Sequence, residues 1–264
     1  MATTTRRRAR KPAGTISGED LARLLELTRG ADSVELKATL DPGAQRQATS
    51  GLGIDALEAQ IRQVFFFDTP DLALNRSGVV VRARRIQGRR GDTVVKLRPV
   101  VPDELPDSIR NSDSVTVEVD AMPGGFVCSA SMKAKARNEE VREVAGGTRA
   151  LRKLLTKEQR KFFEAYVPDG PGLDDLSLLG PVFVLKLVVT PKGLGRRLVG
   201  ELWLLPDGTR ILELSTKCEP SQAFQVAAET RAYLEGLGLE LAPDPHTKTK
   251  SALEFFAAEL AAAG

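Results

Sequence analysis

The chain has 264 residues, 28% of them charged, with a formal net charge of +3, two cysteines and one histidine. This length allows a large buried core. Cys128 and Cys218 are too few for a disulfide framework and too isolated for a zinc site. His246 lies in a proline-flanked loop, which argues against a histidine-dependent triad.

The positive net charge comes from an amino-terminal segment without acids, which contains Arg6, Arg7, Arg8, Arg10 and Lys11. Without these five residues, 33 basic residues face 35 acidic ones. We expect residues 1–14 to form a disordered tail and residues 15–264 a single domain. Contact of the tail with nucleic acid or anionic surfaces is left open, but the folded body is not a nucleic-acid binder by bulk charge.

No apolar run approaches the roughly 18 residues of a membrane span, and the amino terminus has no apolar signal core. We therefore expect a cytoplasmic protein without a membrane partner.

Hydrophobic periodicity predicts strands separated by a few helical stretches. Helices are predicted at 17–29, where Ser17 is the candidate cap, and at 55–60, 137–166, 220–237 and 247–263. The stretch 137–166 interrupts the run of strands as a helical insertion. Strands are predicted at 33–40, 62–68, 78–86, 93–99, 115–121, 126–135 and 181–190. A hairpin follows at 197–217, with its turn at Pro206-Asp207-Gly208.

Most of these strands carry charged residues on one face and Val, Leu, Ile or Phe on the other. An open antiparallel sheet could expose the charged face to water, but seven or eight twisted strands tend to curl or close. Closure would gather the following residues around one lumen: the bases Lys37, Arg82, Arg84, Lys96, Arg98, Lys186, Arg197 and Lys217, and the acids Glu35, Glu118, Glu201 and Glu213. The fold class predicted is α+β.

Buried charges are tolerated when they are paired or ligated. One interpretation is that the lumen charges only form salt bridges with each other. The other is that the bases bind phosphate oxygens while the carboxylates hold Mg²⁺ or Mn²⁺, which prefer oxygen ligands. A linear polyphosphate chain fits such a lumen.

Ordered motifs over about residues 33–256 resemble the CYTH domain family, the triphosphate tunnel metalloenzymes. The motifs are Glu35-x-Lys37, Phe66-Phe67-Asp68-Thr69-Pro70, Gly78, Arg82-x-Arg84, Lys96-x-Arg98, Glu118-x-Asp120, Glu213-Leu-Ser215-x-Lys217 and Thr247-Lys248-Thr249. The resemblance implies an eight-stranded antiparallel barrel that binds triphosphate-bearing substrates with a divalent metal. The family includes inorganic, thiamine and RNA triphosphatases and class IV adenylyl cyclases.

The resemblance also implies roles for individual residues. Metal ligands would be Glu35, Glu118, Glu201 and Glu213, and Lys37 would orient or activate the attacking water. Substrate phosphates would be bound by Lys37, Arg82, Arg84, Lys96, Arg98, Lys186, Arg197, Lys217 and Lys248. Ser33 and Ser215 stand where many members have glutamates. A serine is a weaker, neutral ligand. Glu118 and Asp120 could partly compensate for the two missing carboxylates.

Three functions follow as hypotheses. The first is metal-dependent hydrolysis of inorganic tripolyphosphate or an organic triphosphate. The second is cyclisation of ATP, in which the ribose 3′-hydroxyl attacks the α-phosphorus. The third is a non-catalytic module that binds a nucleotide or polyphosphate, which the two serines favour. A homodimer is left open.

Overall fold

Period-two strands account for most of the chain and close into a barrel. The computed structural model describes residues 18–123, 125–167, 169–242 and 248–263. In these ranges nine strands form one closed sheet in the order β1-β5-β6-β4-β3-β2-β7-β8-β9. The strands are β1 (Ser33–Thr39), β2 (Gln60–Asp68), β3 (Val79–Ile86), β4 (Gly91–Leu97), β5 (Val115–Met122), β6 (Gly125–Ala136), β7 (Ser177–Val189), β8 (Leu198–Leu204) and β9 (Arg210–Cys218).

The expectation of eight antiparallel strands is wrong in both number and direction. Neighbouring strands can alternate in direction around a closed ring only when their number is even, so nine strands force a parallel pair. That pair is β1 with β5, in which Glu35 lies opposite Asp120. All other neighbours are antiparallel, including β9 with β1, which closes the ring. The barrel is therefore mixed.

Helices lie outside the barrel and at one of its ends. They are α1 (Gly18–Arg29), α2 (Gln45–Gly51), α3 (Ala73–Arg76), α4 (Asp107–Arg110), α5 (Asn138–Ala145), α6 (Lys157–Tyr166), α7 (Ala223–Gly236) and α8 (Lys248–Ala263). The predicted helix at 55–60 is wrong. The chain makes only a 3-10 turn at Ala56–Glu58, capped by the Asp55 carboxylate, and Gln60 already belongs to β2. Sequence reasoning missed the short helices α2, α3 and α4.

The outer faces of the strands pack against helices, which leaves the charged faces to the lumen. Leu198, Leu212 and Leu214 share a core cluster with Leu234 of α7. On the far side, α6 is fixed by the buried Gln159, whose side-chain amide bonds Thr93 and Met132 of neighbouring strands. Apolar packing and these buried hydrogen bonds hold the barrel wall in place.

Helix α8 packs on the lumen side and closes one end of the barrel. Its residues Ala252, Leu253 and Phe256 share a core cluster with Phe66 and Trp203. Phe66 lies opposite Arg82 in the pairing of β2 with β3, and therefore on the lumen face. The first residue of α8, Lys248, thereby reaches the interior.

In the described ranges, no helix combines the length and the apolar character needed to span a membrane. Residues 1–14, the candidate cap Ser17, His246 and Thr247 lie outside the described residues.

Candidate functional site: a charged tunnel

A cavity of about 1550 Å³ occupies the barrel interior. Of the residues predicted for the site, it is lined by Lys37, Arg82, Arg84, Lys96, Arg98, Lys186, Lys217, Lys248, Glu35, Glu118, Glu201 and Glu213. Arg197 is not brought to this cavity, because it is exposed and precedes the first residue of β8. Basic residues outnumber carboxylates along the cavity wall, so the lumen carries an excess of positive charge.

One side of the tunnel is lined by Arg82 and Arg84 of β3 and Lys186 of β7; with Arg62 of β2, which is buried and does not line the cavity, they form what we call the cationic wall. Arg84 is neutralised by a two-point contact with Asp92, at 2.8 and 2.7 Å. Arg62 donates hydrogen bonds to the neutral Gln60 side chain at 2.8 and 3.2 Å, whereas the nearest carboxylate, Glu201, lies 3.6 Å from Arg62 and 3.8 Å from Lys186.

Arg82 has no such neutralising partner. Its side chain forms no hydrogen bond or ion pair with the described residues, and its Nε atom is fully buried. Burial and the neighbouring Arg84 lower the pKa of Arg82 to about 9. Asp92 and Glu201 offset these effects only in part, so at neutral pH Arg82 is a charged, half-buried guanidinium that a bound anion would stabilise.

The other cations of this wall show the same deficit of negative charge. Burial, followed by repulsion from Arg84, lowers the pKa of Arg62 to about 10. Burial and repulsion from Arg62 lower the pKa of Lys186 to about 8. Neighbouring carboxylates are too few and too distant to reverse these shifts. The wall as a whole thus favours an added anion.

Across the lumen, an acidic wall is formed by Glu35, Glu118 and Asp120 on β1 and β5. Each offers a carboxylate oxygen, and these oxygens lie within 4.8 Å of one another. Asp120 is fully buried and contacts Lys37 at 2.7 Å, Arg98 at 3.4 Å and Lys96 at 3.6 Å. Burial raises the pKa of Asp120, but these cations outweigh it and lower the pKa to about 2.

Lys37 belongs to this wall as a cation that remains protonated. Its ammonium lies 3.1 Å from Glu35 and 2.7 Å from Asp120. Burial lowers its pKa, but Asp120, Glu35 and Glu213 together raise it above the ordinary value. Protonated Lys37 is therefore placed to orient a water or phosphate oxygen.

A third group lies where α8 meets the hairpin of β8 and β9. Glu201 and Glu213 face each other across the two strands, and Lys248 pairs with both, at 2.8 Å from Glu213. The ammonium also lies 5.2 Å from the ring centroid of Trp203. Burial raises the pKa of Glu201, but Lys248 and other cations lower it below its usual range.

The four predicted metal ligands are thus divided between two places. Glu35 and Glu118 join Asp120, whereas Glu201 and Glu213 are held by Lys248. The first group fits Mg²⁺ or Mn²⁺ in its donor set of three carboxylates. Glu118 pairs with Lys217, but burial and the nearby Glu35 still raise its pKa, so a cation bound beside Glu118 would stabilise its charged form.

The two serines are not equivalent. Ser33 donates a hydrogen bond to Glu118 at 3.2 Å and does not line the cavity. Ser215 is buried on the cavity wall, directly opposite Lys37 in the pairing of β1 with β9. Only Ser215 occupies a position from which a longer acidic side chain would enter the tunnel.

Sequence reasoning did not assign site roles to Arg62, Asp92, Lys133 or Trp203, and it gave Asp120 only a compensating role beside Glu118. The predicted strand began only at Thr93, whereas Asp92 is the second residue of β4 and pairs with Arg84 and Lys133. Arg62 could have been found, because it shares the period-two phase of Val64 and Phe66. Asp120 shares the phase of Glu118 and is the most enclosed carboxylate of the site.

The barrel is shared with solved proteins named as adenylate cyclases. A candidate adenylyl cyclase from Hippeastrum, for which a dominant triphosphatase activity is described, matches with a TM-score of 0.62 and 15% identity over 84% of this chain and 95% of that protein. A candidate adenylate cyclase from Bacillus halodurans matches with a TM-score of 0.58 and 11% identity over 83% of this chain and 97% of that protein. No family model and no curated protein matches the sequence. The resemblance to the CYTH family is therefore confirmed at the level of the fold.

Proposed function

We propose that the protein binds a triphosphate-containing substrate in the tunnel and hydrolyses it with the help of a divalent metal. The observation that carries the proposal is Arg82, a half-buried guanidinium that lines the cavity without a hydrogen-bond or ion-pair partner among the described residues. A lumen whose charges served only the fold would pair this cation with a carboxylate, as it does for Arg84. A polyanion supplies the missing partner.

The cationic wall is suited to the phosphate chain itself. Arg62, Arg82 and Lys186 come from three adjacent strands, and all three have lowered pKa values. Several cations side by side match several linked phosphates better than a single anion. Guanidinium groups also bind phosphate oxygens through two parallel hydrogen bonds.

The acidic wall would supply the catalytic part of the site. Glu35, Glu118 and Asp120 would hold Mg²⁺ or Mn²⁺, which neutralises charge on the transferring phosphoryl group. Protonated Lys37, placed between this wall and Glu213, would orient a phosphate oxygen or the attacking water. Catalysis then rests on positioning and electrostatics, as is general for phosphoryl transfer.

Two other functions compete with hydrolysis. The names of the solved neighbours favour cyclisation of ATP, with release of pyrophosphate. Ser215, a neutral residue on the cavity wall, favours a module that binds without turnover. Both rivals use the same phosphate-binding wall, so binding alone does not separate the three.

Product analysis separates them. The protein is incubated with tripolyphosphate and, separately, ATP, each with Mg²⁺ or Mn²⁺, and the products are resolved. Hydrolysis releases orthophosphate, cyclisation yields cyclic AMP and pyrophosphate, and a binding module gives calorimetric binding without either. The Glu35→Gln variant is the control for a contaminating phosphatase, since it should lose the activity of the chain itself. Absence of both binding and turnover in the wild type would contradict the proposal.

A further inference from the structure

Lys248 places a cation between two carboxylates of the barrel wall. Glu201 of β8 and Glu213 of β9 lie directly opposite each other in the pairing of the two strands. Like charges at opposite positions of a sheet repel each other. The Lys248 ammonium pairs with both carboxylates, at 2.8 Å from Glu213, and its side chain is only 16% exposed. The two glutamates need a cation between them, and the chain supplies it from α8.

Packing holds this ammonium in place. Ala252 and Phe256 of α8 are buried in the same core cluster as Trp203. The Lys248 ammonium lies 5.2 Å from the ring centroid of Trp203. The same indole donates a hydrogen bond to Glu201 at 3.4 Å. Lys248, Trp203 and Glu201 thus form one packed group at the point where α8 enters the lumen.

The carboxylate oxygens of Glu201 are already engaged. The Oε2 atom accepts hydrogen bonds from Lys248 and Trp203. The Oε1 atom faces Arg62 at 3.6 Å and Lys186 at 3.8 Å. A divalent metal at Glu201 would use the same oxygens and would lie beside the ammonium, where the two positive charges repel each other. The ammonium and a metal therefore compete for one place.

The acidic wall admits a metal more readily. Its three carboxylates, with oxygens within 4.8 Å of one another, are Glu35, Glu118 and Asp120. Lys37 pairs with the first and the last of them. The partner of Glu118 is Lys217, whose side chain is 56% exposed and is free to move into solvent. A metal can thus enter beside Glu118 without expelling an enclosed ammonium.

We propose that the Lys248 ammonium takes the place of a divalent metal between Glu201 and Glu213, so that these two glutamates hold α8 and bind no metal. The tunnel then binds its metal on the acidic wall alone, and this part of the inference rests on the proposed function. The family resemblance assigned both glutamates to the metal and Lys248 to the substrate phosphates. In this chain the three residues instead neutralise one another.

The number of metal ions bound by the free protein tests the inference. Titration with Mn²⁺, with the free ion measured by electron paramagnetic resonance, should give one bound ion per chain in the wild type. Lys248→Met removes the charge, keeps an unbranched side chain, and should bind one ion more. The double variant Lys248→Met/Glu213→Gln should lose this extra ion, which assigns it to the glutamate pair. Two ions in the wild type, or no gain in Lys248→Met, would overturn the inference.

Lys250→Met is the matched control, because Lys250 lies on the same helix, is 55% exposed and pairs with Glu254 at 3.7 Å. It should bind the same number of ions as the wild type. If Lys248→Met does not fold, two variants that keep Lys248 decide the question. Glu213→Gln should leave the Kd for Mn²⁺ within about threefold of the wild type, whereas Glu118→Gln should raise it by about tenfold or more. Equal weakening in both variants would contradict the inference.

The outcomes separate this inference from the proposed function. Two ions in the wild type would remove the inference and leave metal-dependent hydrolysis intact. No ion in the wild type and one in Lys248→Met would overturn metal-dependent hydrolysis, while the replacement of a metal by Lys248 would stand. No ion in either protein would overturn both.

Discussion

The two walls of the tunnel solve the problem of buried charge in different ways. On the acidic wall, Asp120 is fully buried and is approached by Lys37, Lys96 and Arg98 at 2.7 to 3.6 Å. On the cationic wall, Arg82 has no partner among the described residues, and the nearest carboxylate of Arg62 lies at 3.6 Å. One wall is largely neutralised by the protein, whereas the other lacks counter-charge.

This difference indicates which part of the tunnel serves the fold and which part serves a ligand. A carboxylate with several cations around it holds neighbouring strands together even without substrate. A buried cation without a partner lowers the stability of the unliganded protein and is compensated only when an anion binds. Substitutions on the acidic wall should therefore lower the free energy of unfolding, whereas substitutions on the cationic wall should weaken anion binding without lowering it.

The largest effect is expected for Asp120→Asn. Removing this charge leaves Lys37, Lys96 and Arg98 without a shared partner, at a cost of about 3–5 kcal/mol in the free energy of unfolding. Because the pKa of Asp120 is lowered to about 2, its stabilising effect is present above pH 4 or so and is lost as the pH falls toward 2. Urea unfolding at pH 7 and at pH 3 measures both effects.

Asp113→Asn is the control for this prediction, since Asp113 is exposed in the loop before β5. It should change the free energy of unfolding by less than about 0.5 kcal/mol. If the two variants are equally stable, the acidic wall does not hold the barrel together. Tripolyphosphate should restore part of the stability of Asp120→Asn, because it offers a new partner to the same cations.

Arg82→Ala should weaken anion binding without lowering the stability of the free protein. Loss of the guanidinium should weaken tripolyphosphate binding by about 10-fold to 100-fold, corresponding to about 1.5–3 kcal/mol for charge-assisted hydrogen bonds. The unliganded protein should keep its stability or gain some, because a half-buried cation without a hydrogen-bond or ion-pair partner is removed. Calorimetry and urea unfolding measure the two quantities on the same sample.

Arg85→Ala is the matched control on the same strand. Its guanidinium bonds Gln63, and it follows the lumen-facing Arg84, so its side chain lies on the other face of β3. It should leave tripolyphosphate binding within about twofold of the wild type. If Arg82→Ala instead destabilises the free protein while binding is unchanged, Arg82 has a structural role.

Much of the barrel could be predicted because local pattern determines it. Val34 and Leu36 alternate with Glu35 and Lys37, and such alternation specifies both a strand and its two faces. The number of strands in the ring depends on pairing between distant segments, and the resemblance to a known family gave eight instead of nine. The parallel neighbours β1 and β5 leave no trace in their local sequences.

The site shows the same limit at the level of side chains. Phase alone places Glu35, Glu118, Glu201 and Glu213 on the lumen face, but not in one cluster. Their division follows from the order of strands, which puts β1 beside β5 and β8 beside β9. Arg197 was assigned by phase, yet the strand begins only at Leu198.

The difference between the two serines sharpens the contrast within the acidic region. Ser215→Glu places a carboxylate on the cavity wall opposite Lys37 and should tighten Mn²⁺ binding by about tenfold, since ligand charge tunes metal affinity. Ser33→Glu puts a second carboxylate directly opposite Glu118 and outside the cavity lining. This variant should therefore give no comparable gain in Mn²⁺ affinity. Titration of Mn²⁺ by electron paramagnetic resonance measures the free ion. Equal affinity of wild type and Ser215→Glu would show that this position does not contact the metal.

The smallest expected effect concerns Lys186, whose pKa of about 8 lies closest to neutrality on the cationic wall. In the unfolded chain a lysine titrates near 10.5, so between pH 8 and 10.5 the unfolded state binds more protons than the native state. The free energy of unfolding of the unliganded protein should therefore rise with pH over this window. Tripolyphosphate binding should weaken over the same window, by about threefold to tenfold, because the wall loses a charge.

Lys186→Arg keeps its charge and should lose most of this pH dependence, and Lys186→Met should bind tripolyphosphate weakly at every pH. Other groups titrate in this window too, so the quantity to compare is the wild type minus Lys186→Met, in both unfolding and binding. If that difference does not vary with pH, Lys186 is already neutralised within the protein, and the deficit of counter-charge on this wall is confined to its arginines.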